Sequence, residues 1–331
     1  MKAIVYRRYG SPDVLEYEDI VQPAPKDDEV LIRVRAASVN PADRYFIRGE
    51  PYVVRFIMGL SKSKVKRPGV DVSGLVEATG RNVTGFRPGD EVFGSCRGSF
   101  AEYVCAPESA LVTKPGNVTF EQAASVPVAA YTALQALRKG HIRAGQKVLI
   151  NGSSGGVGTF AVQIAKSFGA HVTGVCSTGN VEMVRSIGAD HVIDYTREDF
   201  TRSGRLYDVI LDNAGNHSLS ACRRVLTPTG ICVMVGGPYR GVIPLLARMT
   251  GAAASSLFSS RKVVMVLARA SKEDLAVLRD LMETGKVTPV IDRVYRLGEA
   301  AQAVRYLEQG HARGKIVITV EPDGVDQLPV R

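Results

Sequence analysis

The sequence predicts an α/β protein of two lobes. A β-rich domain covers residues 1–120, completed by 269–331, and a doubly wound parallel-sheet domain covers 121–268. Three observations predict this. Before residue 120 the apolar residues alternate with charge in short runs broken by turns, as in Glu29-Val-Leu-Ile-Arg-Val-Arg35. From Lys147 the strand-like runs become continuously apolar and alternate with helical spacing, the pattern of a parallel sheet covered on both faces. Between the first such run and the first helix stands a glycine-rich turn.

The first domain reads as compact, mostly β and barrel-like. Glu91-Val-Phe93 follows the turn Arg87-Pro-Gly-Asp90 as one of its strands. In the second domain the predicted strands are Val148–Ile150, Val172–Val175, Val192–Ile193, Val209–Leu211 and Ile231–Val235. Phe160–Phe168 and Val181–Ile187 have helical spacing. Ser271-Lys-Glu-Asp274 looks like a capping box opening a helix that stops at Gly285. A second helix is predicted over residues 299–309, and Lys315–Val320 as a final strand returning to the first domain.

Composition bounds the function. With 331 residues, 45% hydrophobic and 23% charged, the chain can bury two cores, which excludes wholesale disorder. The net charge of +9 suits anionic ligands such as nucleotides, or a nucleic-acid surface. Five irregularly spaced Cys make no disulfide framework and read as reduced thiols. No apolar run approaches the roughly 18 residues of a spanning helix. The stretch Ala3–Val5 before Arg7 is too short for a signal peptide, so no membrane insertion and a cytoplasmic location are expected.

The strongest signal is Lys147-Val-Leu-Ile-Asn-Gly-Ser-Ser-Gly-Gly-Val-Gly158. Against the pattern G-x-G-x-x-G, Ser153 takes the first glycine position and Gly155 and Gly158 the others. Ser154, Gly155, Gly156 and Val157 would bring backbone N–H groups and a helix N-terminus to a pyrophosphate. An NAD-type site wants an acid about 20 residues past the turn. Between Gly158 and Glu182 there is none, and the second strand ends at Cys176-Ser177-Thr178. Missing that acid removes repulsion toward a 2′-phosphate, and the hydroxyls of Ser177 and Thr178 can donate to it. Arg185 and Tyr195 are further candidates; a solvated helix arginine and a core tyrosine are the plain alternatives.

At these residues the chain resembles the zinc-independent branch of the medium-chain dehydrogenase/reductase superfamily, the quinone oxidoreductase-like proteins. The resemblance rests on Ala36–Asp43, Pro68–Gly74, Arg87–Gly94, Gly98–Tyr103, Ala130–Leu134, the glycine-rich turn, Gly188–Tyr195 and Gly314–Ile318. It implies a GroES-like catalytic domain, a Rossmann domain, a cleft between them, and NADPH-dependent reduction of quinones, enones or related carbonyls. It also implies that Thr132, Asn213, Gly236, Gly314 and Lys315 lie along the cofactor, and that Ser177 and Tyr195 lie near its 2′-phosphate. Related sequences often carry a basic residue just after the Ser-Thr pair, where this chain has Gly179.

Zinc needs converging His, Cys or carboxylate ligands. No His precedes His141, and where zinc-dependent relatives carry Gly-His-Glu and an early ligand Cys this chain has Gly69-Val70-Asp71 and Ala37-Ser38. No metal site is therefore expected. None of the 12 Tyr has Lys four residues on, so the short-chain reductase pair is absent as well. A conjugated acceptor needs less help: hydride at its β carbon gives a delocalised enolate or phenolate that a neutral donor stabilises. Asn40, Tyr45, Arg48 and Tyr52 are the donors expected near the cleft. Tyr52 or Tyr45 would donate to the oxyanion and Asn40 would orient substrate or nicotinamide, each Tyr having packed aromatic as its alternative. Asp43 reads as a turn or core hydrogen-bonding residue rather than a base.

The leading function is thus metal-free reduction of a small hydrophobic carbonyl or quinone with NADP(H). The alternative is a cofactor-binding protein with an RNA-binding or regulatory role, which the charge permits but no RNA-binding aromatic motif supports. Lys262–Ala268 reads as an apolar sheet edge, which the family's habit would pair across a two-fold axis into a homodimer. Residues 52–67 are apolar first and basic after, and read as a mobile lid, a core helix or a membrane-surface contact.

Overall fold

The computed structural model describes residues 1–50, 66–236 and 260–320. Tyr52 and most of the 52–67 segment lie outside the described residues. The chain opens with β1 (Lys2–Val5) and β2 (Glu16–Asp19), an antiparallel pair. Next comes β3, Glu29–Val39, followed by α1, Pro41–Arg48. The first sheet continues with β4 (Asp71–Thr79), β5 (Glu91–Ser95), β6 (Tyr103–Pro107) and β7 (Leu111–Thr113). Strand β3 is longer than the alternating run predicts, and the alternation fades because both its faces are covered. Val30, Ile32 and Val34 face the main core of this sheet, while Ala36 packs on Ala124 of α2 (Phe120–Ala124). The predicted turn before β5 is present, with Gly89 at φ +94°, a conformation that favours glycine.

The second sheet follows α3, Pro127–Lys139. Its elements are β8 (Lys147–Asn151), α4 (Gly156–Ser167), β9 (His171–Cys176), α5 (Val181–Ser186), β10 (His191–Asp194), β11 (Tyr207–Asp212), α6 (Leu219–Arg224), β12 (Leu226–Met234) and β13 (Lys262–Met265). The strand order is β10-β9-β8-β11-β12-β13, all parallel. That is the doubly wound order in which the winding reverses between β8 and β11, and ligands bind at such a reversal. Val148, Leu149 and Ile150 are all fully buried, as a strand covered on both faces requires. Cutting Leu149 or Ile150 to Ala would cost about 2–5 kcal/mol. Strand β12 starts five residues before the predicted Ile231. Its polar start, Thr227-Pro-Thr-Gly230, hides it, and the register with β11 shifts there.

The last elements are α7 (Lys272–Glu283), β14 (Ile291–Arg296), α8 (Ala300–Glu308) and β15 (Lys315–Thr319). At α7 only half of the expected capping box forms: Ser271 accepts from the Asp274 N–H at 3.1 Å, while the Asp274 carboxylate accepts from Gln135 and Arg138 of α3. Strand β15 pairs antiparallel with β3, Ile316 opposite Val39, so the first sheet closes with chain from both ends. Among the described residues no helix is long and apolar enough to cross a membrane.

Candidate active site

The glycine-rich turn joins β8 to α4 at the switch point. A Cβ on Gly158 would stand 2.1 Å from the Gly152 carbonyl, so this glycine is required by the turn's own packing. Among the described residues a Cβ on Gly155 would meet nothing nearer than 3.7 Å, so that glycine keeps the bare backbone open on the cleft side. Ser154, Gly155, Gly156, Val157 and Gly158 line a cleft of about 530 Å³. Ser153 does not reach it. Fully buried, its hydroxyl donates to the Val175 carbonyl at 3.0 Å and fastens the turn to β9.

Across the switch point, Asn213 follows β11 and lines the same cleft. Among the described residues neither polar atom of its buried amide has a partner, a costly state that a ligand's donor and acceptor would relieve. Gly236 lies beside it; a Cβ there would come within 2.6 Å of the Asn213 carbonyl. Gly314 closes the third side. Its N–H donates to the Ser154 carbonyl at 2.9 Å, tying the start of β15 to the turn. Helix α3 contributes Val128 and Ala129. Thr132 is one turn further on, and its hydroxyl donates back to the Val128 carbonyl at 2.7 Å instead of facing the cleft. Bare backbone at a helix N-terminus, opposite an unsatisfied amide, fits a dinucleotide.

The floor of the cleft is a buried polar network. Lys315, 3% exposed, donates to the Asn40 side-chain oxygen at 2.6 Å and lies 3.6 Å from Asp71. The Asn40 amide donates to Asp71 at 2.8 Å and to the Ser38 carbonyl at 3.3 Å. Asp71 also accepts from Ser38 Oγ at 2.7 Å and from the Val128 N–H at 3.0 Å. Both amide hydrogens of Asn40 are thus committed, so it braces the floor rather than offering a free donor to substrate. Asp43 is a backbone anchor, as expected, accepting from the Asn40 and Gly69 N–H groups at 2.8 and 3.0 Å. Burial pushes its carboxyl up to about 7, and burial also lowers the Lys315 ammonium.

The expected oxyanion donors are not brought together. Tyr45 is half-buried on α1 with its ring 5.7 Å from the Arg44 guanidinium, and it does not line the cleft, whereas Asn40, Pro41 and Arg44 do. Arg48 is committed to Glu308 of α8. Tyr52 lies outside the described residues.

A second cavity, about 260 Å³, adjoins the cleft and shares Ser154, Tyr195, Gly310 and Ala312 with it. Ser177, Asn180, His311 and Arg313 complete its wall. Ser177 Oγ accepts from the Asn180 amide at 3.0 Å, leaving its own O–H to donate. Thr178 is turned away, its hydroxyl donating to Asp194 at 2.6 Å. Asp194 is the acid that the search along β9 misses: it stands opposite Cys176 on the neighbouring strand β10. The Thr178 hydroxyl first, and Thr196 after it, hold its carboxyl below the usual range. Arg185 is paired with Glu182 at 2.7 Å. Among the described residues, no three His, Cys, Asp or Glu side chains are grouped to hold a metal ion.

Residues 26–116 match the alcohol dehydrogenase GroES-like domain, and residues 187–318 match the zinc-binding dehydrogenase family. The chain is 36% identical over 339 residues to a 2-methylene-furan-3-one reductase of Solanum lycopersicum, covering 96% of this chain and 79% of that protein. It is 35% identical over 333 residues to an NADPH-dependent alkenal/one oxidoreductase, chloroplastic, of Arabidopsis thaliana, covering 96% and 79%. The quinone oxidoreductase from Coxiella burnetii superposes with a TM-score of 0.86 at 32% identity, covering 97% of this chain and 99% of that one.

Proposed function

The chain belongs to the medium-chain dehydrogenase/reductase superfamily, among its quinone oxidoreductase-like members, and from that premise we propose an NADPH-dependent reductase of quinones, enones and related conjugated carbonyls that works without a metal. The observation that carries the reading is the crevice between β8 and β11. There the glycine-rich backbone and the Asn213 amide, which has no partner among the described residues, converge beside the buried Lys315–Asn40–Asp71 floor. NADPH bound there supplies the hydride. The chain's residues do the rest: Ser154 through Gly158 seat the pyrophosphate, Asn213 engages the cofactor's polar edge, and the floor fixes the far wall of the substrate space.

A conjugated acceptor suits this site because the charge that develops on it is delocalised and needs only a neutral donor. Tyr52 is the residue proposed for that role, with water completing protonation. Residues 1–120 with 269–331 form the substrate lobe in this reading, and 121–268 the cofactor lobe. A cytoplasmic location goes with it, as does a homodimer paired along β13, the terminal strand of its sheet. A sedimentation run showing only monomer at micromolar concentration would refute the dimer.

The test of function is an NADPH-oxidation screen over quinones, enones and saturated aldehydes. Turnover of conjugated acceptors, with kcat lowered in Tyr52→Phe, supports the reading. Salt-sensitive RNA binding with no oxidation of NADPH by any acceptor would replace it with the regulatory alternative.

A further inference from the structure

Helix α1 sets two arginines, Arg44 and Arg48, against one carboxylate, Glu308 of α8. Arg48 holds it. Its Nε donates to one oxygen of Glu308 and its Nη2 to the other at 2.8 Å, the two-pronged fit of a guanidinium on a carboxylate. Arg48, before any other group, keeps the Glu308 carboxyl below its usual range. Arg44 is left over. Its Nε lies 3.3 Å from the same carboxylate, yet that atom is buried and makes no hydrogen bond among the described residues. No second carboxylate among the described residues pairs with its guanidinium. Arg44 lines the dinucleotide cleft, one helical turn on from Asn40 and on the same face of α1. Glu308 lines the cleft beside it, so two guanidiniums and one carboxylate leave a single positive charge on that wall. Lys315 adds none, since Asp71 balances it in the floor.

A guanidinium whose carboxylate is taken by a neighbour, on the wall of a crevice also lined by Val128, Ala129 and Ile316, suits an anion with an apolar body. We propose that Arg44 receives a carboxylate carried by the acceptor, so that the preferred substrates are conjugated carbonyls with an acidic tail. The apolar body lies along the crevice, and the carboxylate meets the terminal nitrogens of Arg44. Arg48 is a positioning residue in this scheme: by occupying Glu308 it keeps that carboxylate from closing on Arg44. The inference deepens the reductase reading above and rests on it. The cofactor's pyrophosphate is an anion of similar chemistry, and the test separates the two.

The test is steady-state oxidation of saturating NADPH by a matched pair of acceptors, an enone with a carboxylate on a short saturated tail and its methyl ester. It is run on the unaltered protein, Arg44→Gln and Arg48→Met. The unaltered protein should favour the carboxylate in kcat/KM by roughly ten- to hundredfold, the worth of one charge-assisted contact, with the difference in KM. In Arg44→Gln that ratio should fall to about one, while the dissociation constant of NADPH, titrated by nicotinamide fluorescence, moves less than about threefold. Arg48→Met should lower the ratio with Arg44 still in place, because Glu308 is then free to pair with it. No preference in the unaltered protein, or a preference that survives Arg44→Gln, would overturn the assignment to Arg44. NADPH affinity lost in Arg44→Gln by as much as the ratio would give the guanidinium to the pyrophosphate, and overturn it as well. A ratio unmoved in Arg48→Met would overturn the role given to Arg48. Oxidation of NADPH by neither acceptor, nor by any quinone, would instead overturn the reductase reading, and this proposal with it.

Discussion

The ammonium of Lys315 and the side-chain oxygen of Asn40 meet at 2.6 Å in the floor of the cleft, 275 residues apart in sequence. Asp71 is the counter-charge, 3.6 Å from the ammonium and completely buried. Removing one member of a buried pair leaves the other charge uncompensated, which costs about 3–5 kcal/mol. Lys315→Met should therefore destabilise the protein by about that amount. Asp71→Asn should cost less in the Lys315→Met background than alone, because the orphaned charge is already gone. A double-mutant cycle by urea unfolding checks this, and strictly additive losses would show that the two residues do not act as a pair.

Asp43 makes stability depend on pH. Its unfolded value is that of an ordinary carboxyl, and burial raises the folded value to about 7. Between those two values the folded state holds a proton that the unfolded state has released. Stability is then greatest below about pH 4 for this group and falls as pH rises toward 7. Asp43→Asn should flatten that slope. It should also cost about 1–3 kcal/mol, since an amide can accept from only one of the two backbone N–H groups that Asp43 now satisfies. Unfolding curves at half-unit pH steps measure both, and an unchanged slope in the variant would assign the dependence to another group.

The two cleft glycines should separate binding from folding. Gly155→Ala adds a methyl with no atom of the described residues nearer than 3.7 Å, at a backbone φ of −83° that alanine adopts freely. Its melting temperature should hardly move, while NADPH affinity drops tenfold or more because the methyl occupies the cofactor's side. Gly158→Ala drives a methyl to 2.1 Å from a backbone carbonyl, and should cost about 1–3 kcal/mol or more in stability before any ligand is added. Thermal melts and titration of both variants check the contrast; equal effects in the two would mean that the turn has no open side.

Much of the doubly wound sheet was legible because each central strand is covered on both faces, so its apolar run is unbroken, and because the turn residues sit between strand and helix. The cleft backbone at Ser154–Gly158 was legible for the same local reason. What was not legible is whatever the sheets bring together from a distance. Ser153 looked like a ligand contact by position, yet its hydroxyl points back to β9. Asp194 escaped a search confined to β9 because it comes from the next strand. Asn40 reads as a free donor in the sequence, yet the fold brings Asp71 and the Ser38 carbonyl to its two amide hydrogens. Periodicity and spacing report what a segment packs against, not which polar atom of a side chain remains unused.

The purified protein should carry no stoichiometric zinc, although one matching family is described as zinc-binding. The argument is one of charge as well as ligand type. Ser38 and Asp71, in the floor of the cleft, are hydrogen-bonded to each other at 2.7 Å, and Asp71 faces the Lys315 ammonium. A dication placed there would meet a buried positive charge and one carboxylate, short of the three or four converging ligands that zinc takes. The cysteines offer no help: among the described residues none of the five stands in a group of three His, Cys, Asp or Glu side chains that could hold a metal ion. Metal analysis of the protein as purified, with NADPH oxidation measured before and after dialysis against a chelator, checks this. Turnover that a chelator abolishes and zinc alone restores would overturn the metal-free reading.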